Sequence, residues 1–214
     1  MSEKSSYHHG DLKNALIQAG IEILADEGVR GLSLRKVAKR AGVSHAAPYA
    51  HFADKQALVA AISTEGYRRL YEKMTAAAQR YQGDPKRQLV ETAWAYVEFA
   101  LTDPAHFKIT LSSVVEKEES YPEFVAMTTQ NFALVVEVVQ ACQQADILCP
   151  GPADLMAVTL WSQVHGFTSL ILENQISHTM TGQRSLKEIL VFSLNQITMS
   201  EIGCEYYATT DANQ

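Results

Sequence analysis

The sequence has few cysteines and no long uninterrupted apolar segment. Its three cysteines, Cys142, Cys149 and Cys204, show no Cys-x-x-Cys spacing, which argues against a zinc site and against a disulfide framework. No run of 18 apolar residues is present, and the first eleven residues are polar, without the apolar region of a signal peptide. We therefore expect a cytoplasmic protein that does not associate with a membrane.

Motifs for catalysis and for sheet formation are also missing. There is no Glu-x-x-His pair, no Cys/His/Asp nucleophile set and no glycine-rich phosphate loop. His165 has no carboxylate at helical spacing before Glu173, and the adjacent His8 and His9 lack a third metal ligand nearby. No segment alternates in polarity between hairpin signals. The sequence predicts an all-α protein that is not an enzyme and needs no cofactor or metal.

One stretch contains no acidic residue, from Glu27 to Asp54. Five basic residues lie within it: Arg30, Arg35, Lys36, Lys39 and Arg40. The formal charge is +2 for residues 1–52 and −8 for the remainder. A basic N-terminal segment on an acidic remainder fits a DNA-binding domain joined to a domain that does not touch DNA.

Residues 33–55 have the pattern of two short helices joined by a tight turn. Ser33 is predicted to cap the first helix, Gly42 to end it, and Ser44 to cap the second. The apolar positions of the first helix are Leu34, Val37 and Ala38. The second helix carries His45, Ala46, Ala47, Tyr49 and His51. This layout is that of a helix-turn-helix, whose second helix enters the DNA major groove.

This stretch, with the helix before it, resembles the DNA-binding domain of the tetracycline-repressor (TetR) family of bacterial transcriptional regulators. The resemblance covers residues 7–60, and its matching residues are Leu34-Arg35-Lys36-Val37-Ala38, Ala41-Gly42-Val43-Ser44, Tyr49-Ala50-His51-Phe52 and Lys55. Two residues depart from the family pattern. Ala46 stands where many members have glycine, and Pro48 removes a backbone amide, which predicts a tight and short recognition helix.

The resemblance implies two sets of DNA contacts. Phosphates are expected to meet Ser33, Ser44, Tyr49 and Lys55, helped by helix N-termini. Base edges are expected to meet Arg35, His45, Ala46 and Ala47, since arginine can bond to guanine and alanine can contact thymine methyls. Tyr49 could instead pack in the core. For His51, a phosphate contact and packing beside Phe52 are equally open. Lys4 and Tyr7 are weaker candidates in a polar N-terminal arm.

Local capping signals divide the rest of the chain into helices. Asp11 is predicted to cap a helix over 11–28, whose apolar stripe should pack on Leu34, Val37, Tyr49 and Phe52. The later helices are predicted at about 55–81, 85–102, 104–113, 121–145, 152–175 and 185–201. Their starts carry Asp84-Pro85, Asp103-Pro104 and two capping boxes, Ser120 to Glu123 and Ser185 to Glu188. We expect a helix-turn-helix domain over residues 1–60 and a helical bundle over 61–214.

The segments 152–175 and 185–201 are apolar on nearly every side. Such helices must be buried all round, and a second copy of the same pair would supply the cover. The sequence therefore predicts a homodimer through a four-helix bundle, which the family resemblance also implies. A dimer fits a palindromic operator with half-sites about 34–36 Å apart.

Trp161, His165 and Gly166 form a W-x-x-x-H-G motif that resembles the C-terminal domain of one TetR subgroup. One interpretation is a packed tryptophan and a hydrogen-bonded core histidine near a close helix contact at Gly166. The other is that His165 lines an effector pocket or titrates. An effector pocket is implied mainly by the resemblance, and its candidate lining is Trp94, Phe99, Phe107, Met127, Phe132, Trp161 and His165.

These observations lead to one main hypothesis and two alternatives. The main one is a dimeric regulator that binds double-stranded DNA, most simply a repressor relieved by a small molecule. The first alternative is a helix-turn-helix protein controlled by a partner protein, which a body without a cavity would support. The second is an enzyme built on a helical bundle, which the missing catalytic motifs disfavour.

Overall fold

A computed structural model describes residues 9–111 and 115–199, and the regular elements in these ranges are all helical. This confirms the predicted all-α class. The α-helices are α1 (His9–Gly31), α2 (Leu34–Arg40), α3 (Lys55–Arg80), α4 (Pro85–Thr102), α5 (Pro104–Thr110), α6 (Pro122–Gln144), α7 (Ala153–Leu172), α8 (His178–Thr181) and α9 (Leu186–Asn195). Two 3₁₀ helices span Ala47–Ala50 and Glu118–Ser120. Lys4, Tyr7, His8 and Cys204 lie outside the described residues.

Several helix starts follow directly from local capping. The carboxylates of Asp84 and Asp103 each accept a hydrogen bond from the amide three residues later, at 3.1 Å and 3.2 Å. Ser185 and Glu188 form the predicted capping box at the start of α9. The hydrogen bond that the Ser185 amide donates lowers the pKa of the Glu188 carboxyl. Three of the predicted starts are thus confirmed at the level of the capping atoms.

Two other predicted N-caps are wrong. Helix α1 begins at His9, so Asp11 lies within the helix rather than at its N-cap. Ser120 closes a 3₁₀ helix, and α6 begins only at Pro122. Tyr121 therefore occupies the N-cap position, and the Ser120 amide already donates to the Lys117 carbonyl at 2.8 Å.

The predicted end of the last helix, at residue 201, is also wrong. Helix α9 stops at Asn195, and the chain turns back toward the residues that follow α6. The Met199 amide donates to the Ile147 carbonyl at 2.8 Å, and Thr198 pairs with Leu148 in an isolated antiparallel bridge. This long-range pairing competes with continuation of the helix.

The chain divides into two compact packing units. The first unit comprises the described parts of 1–68 and 103–128, and the second those of 69–102 and 129–214. In the first unit α1 packs against α2 and α5, and in the second α4 packs against α7 and α9. One face of α3 is apolar and buried along its whole length, and it consists of Leu58, Ile62, Gly66, Leu70, Met74 and Ala78.

Helices α6 and α7 are long and apolar enough to cross a membrane, with mean hydropathies of 1.2 and 1.3. This is weak support for a membrane span, because helices buried inside or between soluble proteins share that length and composition. Only 28% of each apolar window is buried within the described chain. The other residues of both windows are partly or fully exposed in the described chain.

Candidate nucleic-acid interface and effector cavity

Helix α2 is held by a cap at its start and by three apolar side chains beneath it. The Ser33 hydroxyl oxygen accepts a hydrogen bond from the Lys36 amide at 3.3 Å, as predicted. The buried side chains are Leu34, Val37 and Ala38. This anchoring leaves a polar outer face of Arg35, Lys36, Lys39 and Arg40.

The turn after α2 is a Schellman motif centred on Gly42. Gly42 has a φ of 69°, in the left-handed region that glycine adopts without steric cost. The Val43 amide donates to the Ala38 carbonyl at 3.0 Å, and the Gly42 amide donates to the Lys39 carbonyl at 3.3 Å. This geometry confirms the predicted helix end and reverses the chain toward residues 44–52.

The recognition segment, residues 44–52, is a run of tight turns containing the 3₁₀ helix Ala47–Ala50. The Ala47 amide donates to the Ser44 carbonyl at 3.0 Å, and the His51 amide donates to the Pro48 carbonyl at 3.0 Å. Because Pro48 has no amide hydrogen, the α-helical bond from residue 48 to Ser44 cannot form. The predicted tight and short helix is confirmed, in 3₁₀ form.

Two predictions about this segment are wrong. Ser44 does not cap the helix, because the N-cap position falls at Ala46 and no side chain caps it. Tyr49 does not pack against α1, since its side chain is 56% exposed. His45 and Ala46 are also exposed, Ala47 is half-buried, and Pro48 is the buried member of the segment. His51 is half-buried beside buried Phe52, with ring centroids 6.3 Å apart.

The positive charge of this region is smaller than the sequence indicates. Arg40 donates to Glu22 at 3.3 Å and to Asp26 at 3.1 Å, and the hydrogen bond to Asp26 is the main cause of its raised pKa. Lys36 pairs with Glu27. The acidic residues lie on α1, where positions 22 and 26 share a helix face. Of the five basic residues between Glu27 and Asp54, Arg30, Arg35 and Lys39 have no carboxylate partner among the described residues.

Lys55 lies at the first turn of α3 and ties it to α1. Its ammonium group donates to the Val29 carbonyl at 2.7 Å. A lysine ammonium carries three hydrogens, so this bond leaves two donors for another acceptor. The predicted phosphate contact of Lys55 remains compatible with its structural bond.

The second unit contains a small apolar cavity of about 50 Å³. Its aliphatic wall consists of Met74, Leu89, Val135, Val138, Leu160 and Val164, and its other lining residues are Thr92, Ala93, Tyr96 and Trp161. None of the described residues that line it is charged. Thr92 is 4% exposed, and its hydroxyl oxygen has no hydrogen-bond partner among the described residues.

Tyr96 joins the cavity to the Trp161/His165 motif. Its hydroxyl oxygen lies 2.7 Å from His165 Nδ1 and 3.4 Å from Trp161 Nε1. Indole nitrogen can only donate, so Tyr96 accepts from Trp161 and directs its own hydrogen to His165 Nδ1. Burial lowers the pKa of His165, which favours the neutral ring that this direction requires. His165 is therefore a hydrogen-bonded histidine behind the cavity wall.

The seven candidate pocket residues do not form one cluster. Trp161 lines the cavity, and His165 reaches it through Tyr96. Phe99 is buried elsewhere in the second unit, and Trp94 lies with its ring centroid 5.7 Å from the Lys187 ammonium. Phe132 is half-buried outside the lining, and Phe107 and Met127 belong to the first unit.

Sequence reasoning missed the two polar residues of the cavity, Thr92 and Tyr96. A signal for them exists, because Leu89, Thr92, Ala93 and Tyr96 recur at the spacing of one helix face. The predicted close helix contact at Gly166 is wrong within the described chain. A β-carbon added at Gly166 would meet nothing within 4 Å.

Large apolar side chains lie exposed on and beside the last two long helices. Leu155 on α7 and Phe192 on α9 are the extreme cases, at 64% and 62% exposure. The others in this part of the chain include Val158, Trp161, Leu170 and Met199. Gln163 on α7 donates to the Ser193 hydroxyl on α9 at 2.8 Å, which ties the two helices together. The described residues contain no group of three or more potential metal ligands.

Comparisons with known proteins agree with this geometry. Residues 16–62 match the bacterial regulatory proteins of the tetR family, and residues 89–192 match the tetracyclin repressor-like C-terminal domain. An uncharacterized HTH-type transcriptional regulator of Bacillus subtilis (strain 168), YobS, is 27% identical over 86% of this chain and 90% of its own length. The class A tetracycline repressor protein from transposon 1721 of Escherichia coli is 35% identical over 39% of this chain and 37% of its own length.

A solved structure shares the fold across nearly the whole molecule. A protein of unknown function from Rhodococcus sp. RHA1 superposes with a TM-score of 0.74 at 28% identity, covering 91% of this chain and 97% of its own. The helix-turn-helix geometry, the two family matches and the full-length relative lead to one conclusion. The chain belongs to the TetR family of helix-turn-helix transcriptional regulators.

Proposed function

We propose that this protein is a cytoplasmic, dimeric repressor that leaves a palindromic operator when a small-molecule effector binds. Residues 1–60 would read DNA, and residues 61–214 would bind the effector and form the dimer. The observation that carries the DNA-reading part is the exposed surface of α2 and the recognition segment. There Arg35 and Lys39 have no carboxylate partner, and His45, Ala46 and Tyr49 are solvent-exposed.

The distribution of charge on this surface supports different DNA contacts for different residues. Arg35 lies in the first turn of α2, where its guanidinium can reach a guanine edge. Ser33, Ser44, Tyr49 and Lys55 would hold phosphates, and His51 would contribute at the margin. His45, Ala46 and Ala47 would meet base edges. Lys36 and Arg40 would contribute less, because α1 already supplies their counter-charges.

The exposed apolar faces of α7 and α9 support the dimer. Leu155 and Phe192 would cost free energy if they stayed in water, and a second copy of the same helix pair would bury them. The name of the class A tetracycline repressor, which this chain resembles over part of its length, supports repression rather than activation. A two-fold dimer in turn requires an operator with two-fold symmetry.

The cavity in the second unit favours control by a ligand over control by a partner protein. A ligand that prefers one conformation of the second unit would shift the population of that conformation. Helix α3 contributes residues to both packing units and would carry the shift to the DNA-reading residues. Release from the operator would follow from this coupling.

The test is a selection of genomic DNA fragments with purified protein, followed by footprinting of the best fragment at stated salt. We expect a protected palindrome whose half-sites are about one or more DNA turns apart. Arg35→Ala should weaken that site more than random DNA, whereas Arg184→Ala, which removes an exposed cation from the second unit, should change neither. Weak binding without sequence preference in the wild type would contradict the proposal.

A further inference from the structure

The buried hydroxyl of Thr92 has no partner within the described chain. Thr92 lies on α4, is 4% exposed, and lines the cavity in the second unit. A buried hydroxyl that makes no hydrogen bond has lost its bonds to water without replacement, so proteins rarely leave one unless something else satisfies it. The hydroxyl and the cavity occur together, which points to a ligand as the missing partner.

The remaining lining restricts the chemistry of that ligand. Eight of the ten lining residues are aliphatic side chains, alanine or tryptophan, and none is charged. A charged group would lose its hydration there without gaining a counter-charge, so the wall selects against ions. The hydroxyl hydrogen of Tyr96 is directed to His165, and its oxygen accepts from Trp161. Thr92 is therefore the polar group of the lining that remains available for a ligand.

The volume restricts the size of the buried part. At about 50 Å³, the cavity has roughly a third of the volume of a 150 Å³ cavity that holds benzene. Trp161 lines the cavity and is 43% exposed, so one wall residue also meets solvent. The enclosed space therefore accommodates one end of a short aliphatic ligand, and the remainder of the ligand would extend past Trp161 toward solvent.

We propose that the cavity binds a compact, uncharged, mostly apolar molecule whose single hydroxyl or carbonyl oxygen forms a hydrogen bond with Thr92. This inference rests on the proposed function in one respect, because the same cavity is taken to be the effector site. The inference adds the chemical class of the ligand and names Thr92 as the residue that selects this class. Thr92 provides the polar selectivity, and the aliphatic wall provides the rejection of ions.

The test uses two probes of the same heavy-atom count, 1-butanol and n-pentane, which differ in the hydroxyl group. The full-length protein is labelled with 5-fluorotryptophan, and ¹⁹F NMR follows the Trp161 signal, assigned with Trp94→Phe. We expect 1-butanol to shift this signal saturably. Thr92→Val, which keeps the side-chain shape and removes the hydroxyl, should weaken 1-butanol about tenfold and leave n-pentane unchanged.

The chain provides a matched control in Thr75, whose hydroxyl is also buried without a partner but does not line the cavity. Thr75→Val should leave the affinity for both probes unchanged. Ala93→Leu should fill the cavity and abolish the binding of both probes. The proposal is overturned if neither probe shifts Trp161, or if Thr92→Val leaves the preference for 1-butanol over n-pentane intact. Butyrate or butylammonium binding as tightly as 1-butanol would overturn it as well.

Operator binding measured on the same samples separates this inference from the proposed function. Operator binding with no response of Trp161 to 1-butanol would reject the ligand class and leave the repressor intact. Selective 1-butanol binding through Thr92 with no effect on operator affinity would confirm the ligand class and reject this cavity as the effector site.

Discussion

Gly66 on α3 and Thr110 on α5 approach so closely that a β-carbon at position 66 would lie 1.8 Å from Thr110 Oγ1. It would also lie 2.9 Å from Thr110 Cβ and 3.0 Å from His106 Nε2. Rotation of the Thr110 hydroxyl cannot relieve all three contacts. His106 is also fixed, because its Nε2 lies 3.0 Å from the Ile62 carbonyl.

We therefore expect Gly66→Ala to lower the free energy of unfolding by about 1–3 kcal/mol, the usual cost of overpacking a core. Chemical denaturation of the purified protein measures this. Gly166→Ala is the matched control, since its β-carbon would meet nothing within 4 Å and alanine favours a helix. Equal stability of Gly66→Ala and wild type would contradict the packing described for α3 and α5.

Arg35 and Arg40 lie on the same short helix and differ in whether a carboxylate already pairs with them. Arg40 binds Glu22 and Asp26, whereas Arg35 pairs with no carboxylate in the described chain. Arg35→Ala should weaken operator binding by about tenfold or more and make the salt dependence shallower by about one unit. Arg40→Ala should change the operator affinity and its salt dependence less than Arg35→Ala does. Titrations of the operator between 50 mM and 200 mM salt measure the two slopes, and a larger effect at Arg40 would show that the α1 carboxylates do not compete with phosphate.

Leu155 and Phe192 provide a direct test of the proposed dimer interface. A glutamate at either position would have to be buried without a counter-charge if α7 and α9 form that interface. We expect Leu155→Glu and Phe192→Glu to yield monomers in sedimentation velocity experiments. Leu101→Glu, at an apolar position of α4 that is 38% exposed, is the control and should leave the dimer intact. Monomeric wild-type protein would reject the interface altogether.

The stability of the second unit should depend on pH through His165. Burial lowers the pKa of this histidine below its ordinary value of 6.5, so the unfolded chain takes up a proton that the folded chain resists. Stability is therefore greatest above pH 6.5 and falls as the pH decreases toward the folded-state value. Thermal unfolding between pH 8 and pH 5 should show a steeper acid loss for wild type than for His165→Asn. If both proteins lose stability equally as the pH falls, the group that titrates is not His165.

Cys142 should resist alkylation in the folded protein. Its thiol donates to the Pro85 carbonyl at 3.3 Å, and burial raises its pKa to about 12. At pH 8 the thiolate fraction is then roughly 1,000-fold below that of an ordinary cysteine. Peptide mapping after iodoacetamide treatment should find Cys149, which is exposed, modified first and Cys142 modified only after denaturation. Early modification of Cys142 would show that this part of α6 opens readily.

The sequence predicts those features whose cause is local. Asp84, Asp103 and Ser185 act on amides three residues away, so the helices they start are predictable to within a residue. The end of α9 is different, because Met199 bonds to Ile147, more than fifty residues earlier. No local sequence pattern predicts a hydrogen-bond partner so distant in the chain.

The same distinction applies to the candidate sites. The basic stretch from Arg30 to Arg40 is visible in the sequence, but the pairing of Arg40 with α1 depends on how two helices pack. The sequence predicts a mainly aromatic pocket, whereas the cavity that forms is mainly aliphatic, includes Thr92 and Tyr96, and contains Trp161 from the predicted set. Aromatic composition indicates burial in general and does not reveal where space remains between helices.

Pro48 gives the recognition segment a side-chain order that an α-helix would not produce. In a 3₁₀ helix the side chains of residues three apart eclipse each other, so Ala46 aligns with Tyr49 and Ala47 with Ala50. If this segment reads the operator as proposed, side chains copied singly from an α-helical relative would point to different base pairs. A change of operator preference would then require the exchange of residues 44–52 as one block.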